Sequence, residues 1–224
     1  MIEWSYEITQ FLPIKVEDQH VAQYISYHTK KLDESIEHKI ETWVFLHTHI
    51  LYMTFIYIQL LRISKFKERE FKYSRIWLPT NERDFSKSEL SPFSFSGINE
   101  KTVFRFFRLL DFDDWMIADI SACVNERNKL LHATGNNFEN LDQKIGKYIT
   151  NMENIINKSK YFIQELYQWF INDNPTLSEE WYKITYDDLE TNLFLPYYIS
   201  EYESKKLVKR NEENKITKEL KDNF

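Results

Sequence analysis

Nineteen consecutive residues, Trp43 to Leu61, contain no Lys, Arg, Asp or Glu. A helix through such a run is apolar on all sides, and a helix of that kind is buried in a protein core or in lipid. The length just suffices to span a bilayer. The run also holds His47, Thr48, His49, Thr54 and Gln59, and acidic and basic residues flank both of its ends. These polar groups favour a buried core helix over a membrane span. His47 and His49 are two residues apart, so on a helix they point about 200° apart and cannot share a metal ion. They are expected to be core or interface histidines with satisfied nitrogens.

Three glycines and five prolines in 224 residues, with 17% aromatics, predict few turns and long helices rather than many short strands. The expected fold class is all-α. The length fits one domain, or one domain with an appendage. A single cysteine, Cys123, excludes an internal disulfide framework and a cysteine-rich zinc site, and it fits a reducing compartment. The first residues, Met1-Ile-Glu-Trp-Ser-Tyr-Glu, have neither a basic start nor an apolar signal core, so the expected location is cytoplasmic. A net charge of −6 argues against a basic coat for nucleic acid. Any RNA contact has to be local.

Residues 1–14 look extended or irregular. From about Val16 to His38 the chain is amphipathic, with Val21, Tyr24, Ile25, His28, Lys31, Leu32 and Ile36 at threes and fours. Glu17-Asp18 falls in the first turn, where the helix dipole favours negative charge. A long helix is predicted from about Glu41 to Phe71. Pro79 to Asn99, with two prolines, five serines and a glycine, is the main break and reads as a loop. A short helix over Asn99–Leu110 follows, with Val103, Phe106, Phe107 and Leu110 on one side and Arg105 and Arg108 on another. Asp113-Asp114 caps the next helix, which ends at Gly135-Asn136-Asn137. Another long helix runs over Phe138–Ile171 and stops at Asn172-Asp-Asn-Pro175. Leu177–Phe194 and Tyr197–Leu220 read as further helices, the last with nearly balanced charge.

Chemistry concentrates in Asn125-Glu-Arg-Asn-Lys-Leu-Leu-His132, just before the glycine stop. On an ideal helix Arg127 and His132 stand about 140° apart, and a loosened last turn with a long arginine side chain narrows the gap. The negative end of the helix dipole favours an imidazolium at His132. A guanidinium suits phosphate oxygens and the charge that develops on them, and an imidazole can move a proton to or from a ribose oxygen. With RNA the 2′-hydroxyl can be the attacking group, so no metal is required. The sequence carries no H-E-x-x-H and no Cys-His metal spacing; Asp111, Asp113 and Asp114 are read as a helix cap.

Arg127-Asn128-Lys129-Leu130-Leu131-His132 resembles the Arg-polar-x(4–6)-His motif of HEPN-domain ribonucleases, at its shortest common spacing. The position of the motif, after two long helices and before another, also resembles that family's layout. The resemblance implies a HEPN-like bundle of four to five main helices over residues 1–172, with a helical C-terminal appendage over 173–224. It implies a metal-independent endoribonuclease without cofactors, its active site formed at a homodimer interface. Arg127 and His132 would be catalytic and Asn128 supporting, while Arg105, Arg108 and Lys129 would bind RNA. Glu126 has no firm counterpart. A toxin or anti-phage defence effector is implied, with a cognate antitoxin or regulatory protein as a further partner and no membrane. Toxins of the family paired with a nucleotidyltransferase often carry a tyrosine two residues after the histidine; here Thr134 stands in that place. The alternative is a non-catalytic HEPN-like protein that binds RNA, nucleotide or a partner protein.

Overall fold

A computed structural model describes residues 2–13, 16, 18–78, 90–131 and 140–173, together with positions 200, 201, 205 and 209. The described residues are helical and contain no β-strand. Seven α-helices are described: α1 (Ile2–Thr9), α2 (Gln19–Glu37), α3 (Glu41–Phe66), α4 (Glu68–Ser74), α5 (Glu100–Val103), α6 (Asp114–Leu131) and α7 (Leu141–Asp173). Short 3₁₀ segments occupy Arg75–Trp77, Pro92–Phe95 and Phe104–Leu110.

α3 is the axis of the fold. It packs against α1, α2, α4, α6 and α7 and against the 3₁₀ segments at 92–95 and 104–110. Every residue from Leu51 to Ser64 is buried. By length and composition alone α3 could cross a membrane, but 89% of its apolar window is buried inside the protein. Several of its polar residues are satisfied within the helix itself. The Thr54 hydroxyl donates to the Ile50 carbonyl at 2.9 Å and the Ser64 hydroxyl to the Leu61 carbonyl at 2.7 Å. Arg62 Nη1 donates to Gln59 Oε1 at 3.1 Å. Such back-bonds let short polar side chains sit in an apolar helix at little cost.

Helix boundaries follow the capping chemistry. The Asp18 carboxylate accepts from the backbone N–H groups of His20 and Val21, so Asp18 is the N-cap of α2 rather than part of its first turn. Asp113 does the same for α6 through the Met116 N–H at 2.8 Å. α2 closes with Lys39 in the left-handed region (φ 55°), while Ile40 N–H bonds back to the Ser35 carbonyl at 2.9 Å.

Three expectations need correction. The first residues are not extended: Ile2–Thr9 is a helix, and Ile8, Phe11 and Leu12 enter the core. The helix expected to reach Phe71 breaks at Lys67, where φ −114° and ψ 49° are not helical, and α4 restarts it. That break swings Phe71 inward to stack on Phe106 at 4.8 Å between centroids. The expected loop of residues 79–99 is in its second half a packed 3₁₀ turn. Pro92, Phe95 and Ile98 are buried there, and Ser91 with Ser94 forms a capping box. Residues 79–89 lie outside the described residues.

Asn99–Leu110 has the predicted sidedness, with Val103, Phe106, Phe107 and Leu110 buried and Arg105 and Arg108 exposed, but only its first turn is α-helical. The helices expected over Leu177–Phe194 and Tyr197–Leu220 lie outside the described residues, apart from the isolated positions. Among those positions, Ser200 pairs with Pro13 in an isolated β-bridge and Lys205 Nζ donates to the Tyr6 hydroxyl at 3.1 Å.

Candidate functional site

α6 brings Arg127 toward the bundle interior. Its guanidinium Nη2 donates to Glu100 Oε2, and the two side chains keep only 22% and 27% of their surface exposed. Glu100 is the first residue of α5, held in place by the Asn99 cap, whose side-chain oxygen accepts from the Lys101 N–H at 3.0 Å. The other carboxylate oxygen, Oε1, lies 3.4 Å from His49 Nε2 on α3. His49 Nδ1 lies 3.0 Å from the Tyr148 hydroxyl of α7, which also reaches the Cys123 carbonyl on α6 at 3.2 Å. Four helices are thereby joined through one chain of polar groups: Arg127, Glu100, His49, Tyr148.

Burial is the largest influence on His49 and lowers its pKa below 6.5, outweighing the Glu100 hydrogen bond and charge that act to raise it. The ring is therefore neutral near pH 7 and carries one proton. A carboxylate is a stronger acceptor than a phenol, so the proton belongs on Nε2, facing Glu100. Nδ1 then accepts from the Tyr148 hydroxyl, whose single proton is shared in turn with the Cys123 carbonyl. Burial acts to raise the Glu100 carboxyl, but the His49 hydrogen bond and the charge and hydrogen bond of Arg127 act against it, and the net pKa lies below 4.5. Glu100 is thus an anion at neutral pH. Burial also drives the Tyr148 phenol far above its ordinary 10, so it stays protonated.

Arg127 has a further distinction. Its Nε is buried without a hydrogen-bond partner. A guanidinium offers five N–H donors, and Glu100 engages one Nη, so the group is anchored while retaining donor capacity.

The other predicted positions among the described residues do not join this chain of polar groups. Asn128 is partly buried beside Arg127, and Lys129 is exposed and paired with Glu126 at 2.8 Å. Glu126 also lies 4.0 Å from Lys144 of α7. Arg108 is paired with Asp114. Arg105 lines a small depression with Ser74, Leu78, Thr102 and Phe106. His132, Thr134 and Gly135 lie outside the described residues. Thus Arg127 is placed and its partners are defined, while its spacing from His132 is not.

His47 and His49 face different neighbours, as their two-residue offset predicts: His47 meets His28 of α2, with the Nδ1 atoms 3.0 Å apart. Among the described residues there is no group of three His, Cys, Asp or Glu side chains placed to hold a metal.

Glu100, His49 and Tyr148 are the residues of the site that motif reading misses. His49 offered a signal, because a titratable ring inside an uncharged run needs a buried polar partner. Glu100 and Tyr148 offered none, since their roles depend on which helices meet. In comparisons of the chain with protein-family models, curated proteins and solved structures, nothing matches.

Proposed function

We propose that the protein is a metal-independent endoribonuclease of the HEPN type, acting as a toxin or defence effector, with two copies pooling their Arg127 and His132 groups at a homodimer interface. One observation carries the reading. Arg127 is anchored by the partly buried Glu100 carboxylate and remains partly open to solvent, five residues before His132. A guanidinium fixed in this way spends little conformational entropy when a phosphate arrives.

In the proposed reaction the ribose 2′-oxygen forms a bond to phosphorus and the bond from phosphorus to the 5′-oxygen breaks. The His132 imidazole takes the 2′-hydroxyl proton, and a proton is delivered to the departing 5′-oxygen. Arg127 stabilises the charge that accumulates on the non-bridging oxygens. The products are a 2′,3′-cyclic phosphate and a 5′-hydroxyl. Water and redox equivalents are not consumed.

The test is incubation of purified protein with RNA in EDTA, with analysis of the product ends. Cleavage should survive chelation and leave cyclic-phosphate ends. Arg127→Ala should reduce it by about 10²- to 10³-fold and His132→Ala by about 10²- to 10⁴-fold. Cleavage that persists in both variants overturns the proposal, as does a strictly monomeric active species in light scattering.

A second reading has an observation in its favour. Glu100 neutralises Arg127, as it would in a protein that uses the bundle to bind RNA, nucleotide or another protein without cutting. RNA binding by the wild type without cleavage selects that reading.

A further inference from the structure

An arginine that pairs with a carboxylate frequently does so at two points, through parallel N–H···O bonds. The Arg127–Glu100 pair does not. Arg127 donates to Glu100 through Nη2, and its Nε stays buried without a partner although a carboxylate stands beside the same guanidinium. A buried donor left unpaired is destabilising. Something therefore holds the second carboxylate oxygen away from Arg127. That oxygen, Oε1, lies 3.4 Å from His49 Nε2.

His49 is built to hold it. The ring comes from α3, and its side chain is only 4% exposed. It stands edge-on to the Tyr148 ring of α7, 5.8 Å between centroids and 76° between planes. Its Nδ1 is 3.0 Å from the Tyr148 hydroxyl, which is itself 3.2 Å from the Cys123 carbonyl. With Nδ1 accepting from Tyr148, the single ring proton sits on Nε2 and points at Glu100. The backbone of Glu100 is fixed by the Asn99 cap. A carboxylate with one oxygen on an enclosed imidazole cannot turn both oxygens onto a guanidinium.

We propose that His49 is a positioning residue for Arg127: by claiming one oxygen of Glu100, it limits the Arg127–Glu100 pair to a single contact and leaves the guanidinium able to turn toward a phosphodiester. His49 touches no substrate and acts through Glu100. A closed two-point pair would satisfy Arg127 inside the protein, and a phosphate would then have to displace a carboxylate. The consequence for RNA rests on the ribonuclease reading, but the state of the ion pair can be measured without RNA.

The experiment uses the full chain and two substitutions of similar length. His49→Gln keeps an N–H donor for Glu100; His49→Met does not. Phenylglyoxal, an arginine-directed reagent, is applied, and mass spectrometry of the peptide containing Arg127 gives its rate of modification. His49→Met should slow that rate roughly tenfold, the effect of one added charge-assisted hydrogen bond on Arg127. His49→Gln should stay near the wild-type rate. Adding Glu100→Gln to His49→Met should raise the rate by more than Glu100→Gln raises it alone, because a neutral amide cannot form the two-point anionic pair. Circular dichroism checks that each variant keeps its helices. In the wild type, long-range ¹H–¹⁵N spectra should place the His49 proton on Nε2. Cleavage of RNA in EDTA by the same variants should follow the modification rates.

An unchanged or faster rate in His49→Met overturns the inference, as do equal losses in His49→Gln and His49→Met. A His49 proton on Nδ1 in the wild type overturns it as well, and that measurement holds even if His49→Met fails to fold. The expected rates and tautomer, in a protein that neither binds nor cuts RNA, remove the ribonuclease and keep the role of His49. EDTA-resistant cleavage that depends on Arg127 but is indifferent to His49→Met does the opposite.

Discussion

His47 and His49 leave the same helix two residues apart and end in opposite surroundings. His49 is enclosed, with a carboxylate on one nitrogen and a phenol on the other. His47 lies under a shelf of rings, its Nδ1 facing a second imidazole. Both are buried by their own surface measure and both are pushed toward the neutral form by burial. The difference lies in what a lost partner would leave behind. Around His49 the neighbours are an anion and a guanidinium that need each other; around His47 they are rings that can shift. The inner network should therefore be costly to cut, and the outer one tolerant of change.

The sharpest test of that contrast is Glu100→Ala. It strips the anion from Arg127 and from His49 together and should cost about 2–3 kcal/mol in urea unfolding, less than a fully buried pair because both side chains keep some solvent. Trp43→Ala should cost about 1 kcal/mol or less, since half of the ring is already in water. Equal losses would erase the distinction.

Tyr148→Phe comes next. The phenyl ring keeps its edge contacts with Phe45 and Tyr52, but His49 Nδ1 and the Cys123 carbonyl each lose a partner. A loss of about 1–2 kcal/mol is expected by the same measurement; a neutral result would show that the hydroxyl bridges nothing of consequence.

Acid titration separates the histidines of both regions from the Glu100 carboxylate. His28, His47 and His49 all have folded pKa values below their ordinary 6.5, in each case chiefly through burial. As pH falls below 6.5 the unfolded chain takes up these protons first, so their contribution is complete above that pH and is lost below it. Glu100 is depressed below 4.5, so its contribution is present above that value and disappears as pH falls through its lower folded pKa. The thermal midpoint should decline in two stages. His28→Phe with His47→Phe should shrink the upper stage and leave the lower one; Glu100→Gln should remove the lower stage and, by taking away the anion that supports protonated His49, deepen the upper one.

The smallest effect concerns Cys123. Burial raises its thiol to about 12, against the opposing influence of Lys147 and the Asn151 hydrogen bond. Thiolate-dependent labelling of the native protein should therefore be slow. Tyr148→Phe should accelerate it by loosening the contact with α6, whereas Trp43→Ala should not. Fast labelling of the wild type would contradict the packing of α6 on α7.

Much of the architecture was readable in the chain. The charge-free run had to be covered on every side, and the structure surrounds it with helices. Asp18 and Asp113 marked helix starts because their short carboxylates reach backbone N–H groups. The first residues were misjudged because an eight-residue helix has a weak pattern of its own and is fixed by packing against α2 and α3. The 92–95 turn was misjudged because serine and proline signal a loop whether or not the phenylalanines between them are buried. At the candidate site, Arg127 was legible as a charged side chain in a polar helical turn. Its partner was not, since residues 100 and 127 are separated by an entire helix.

Local chemistry in the chain determined helices throughout the described segments, built around one apolar helix, with an arginine near the end of another. Periodicity and capping act within a few residues and need no knowledge of the rest. The tertiary structure alone decided that Arg127 meets Glu100, that His49 rather than His47 stands behind that pair, and that the rings of α2, α3 and the 92–95 turn line up. Those are contacts between distant segments, and they arise only when helix packing sets which faces come together.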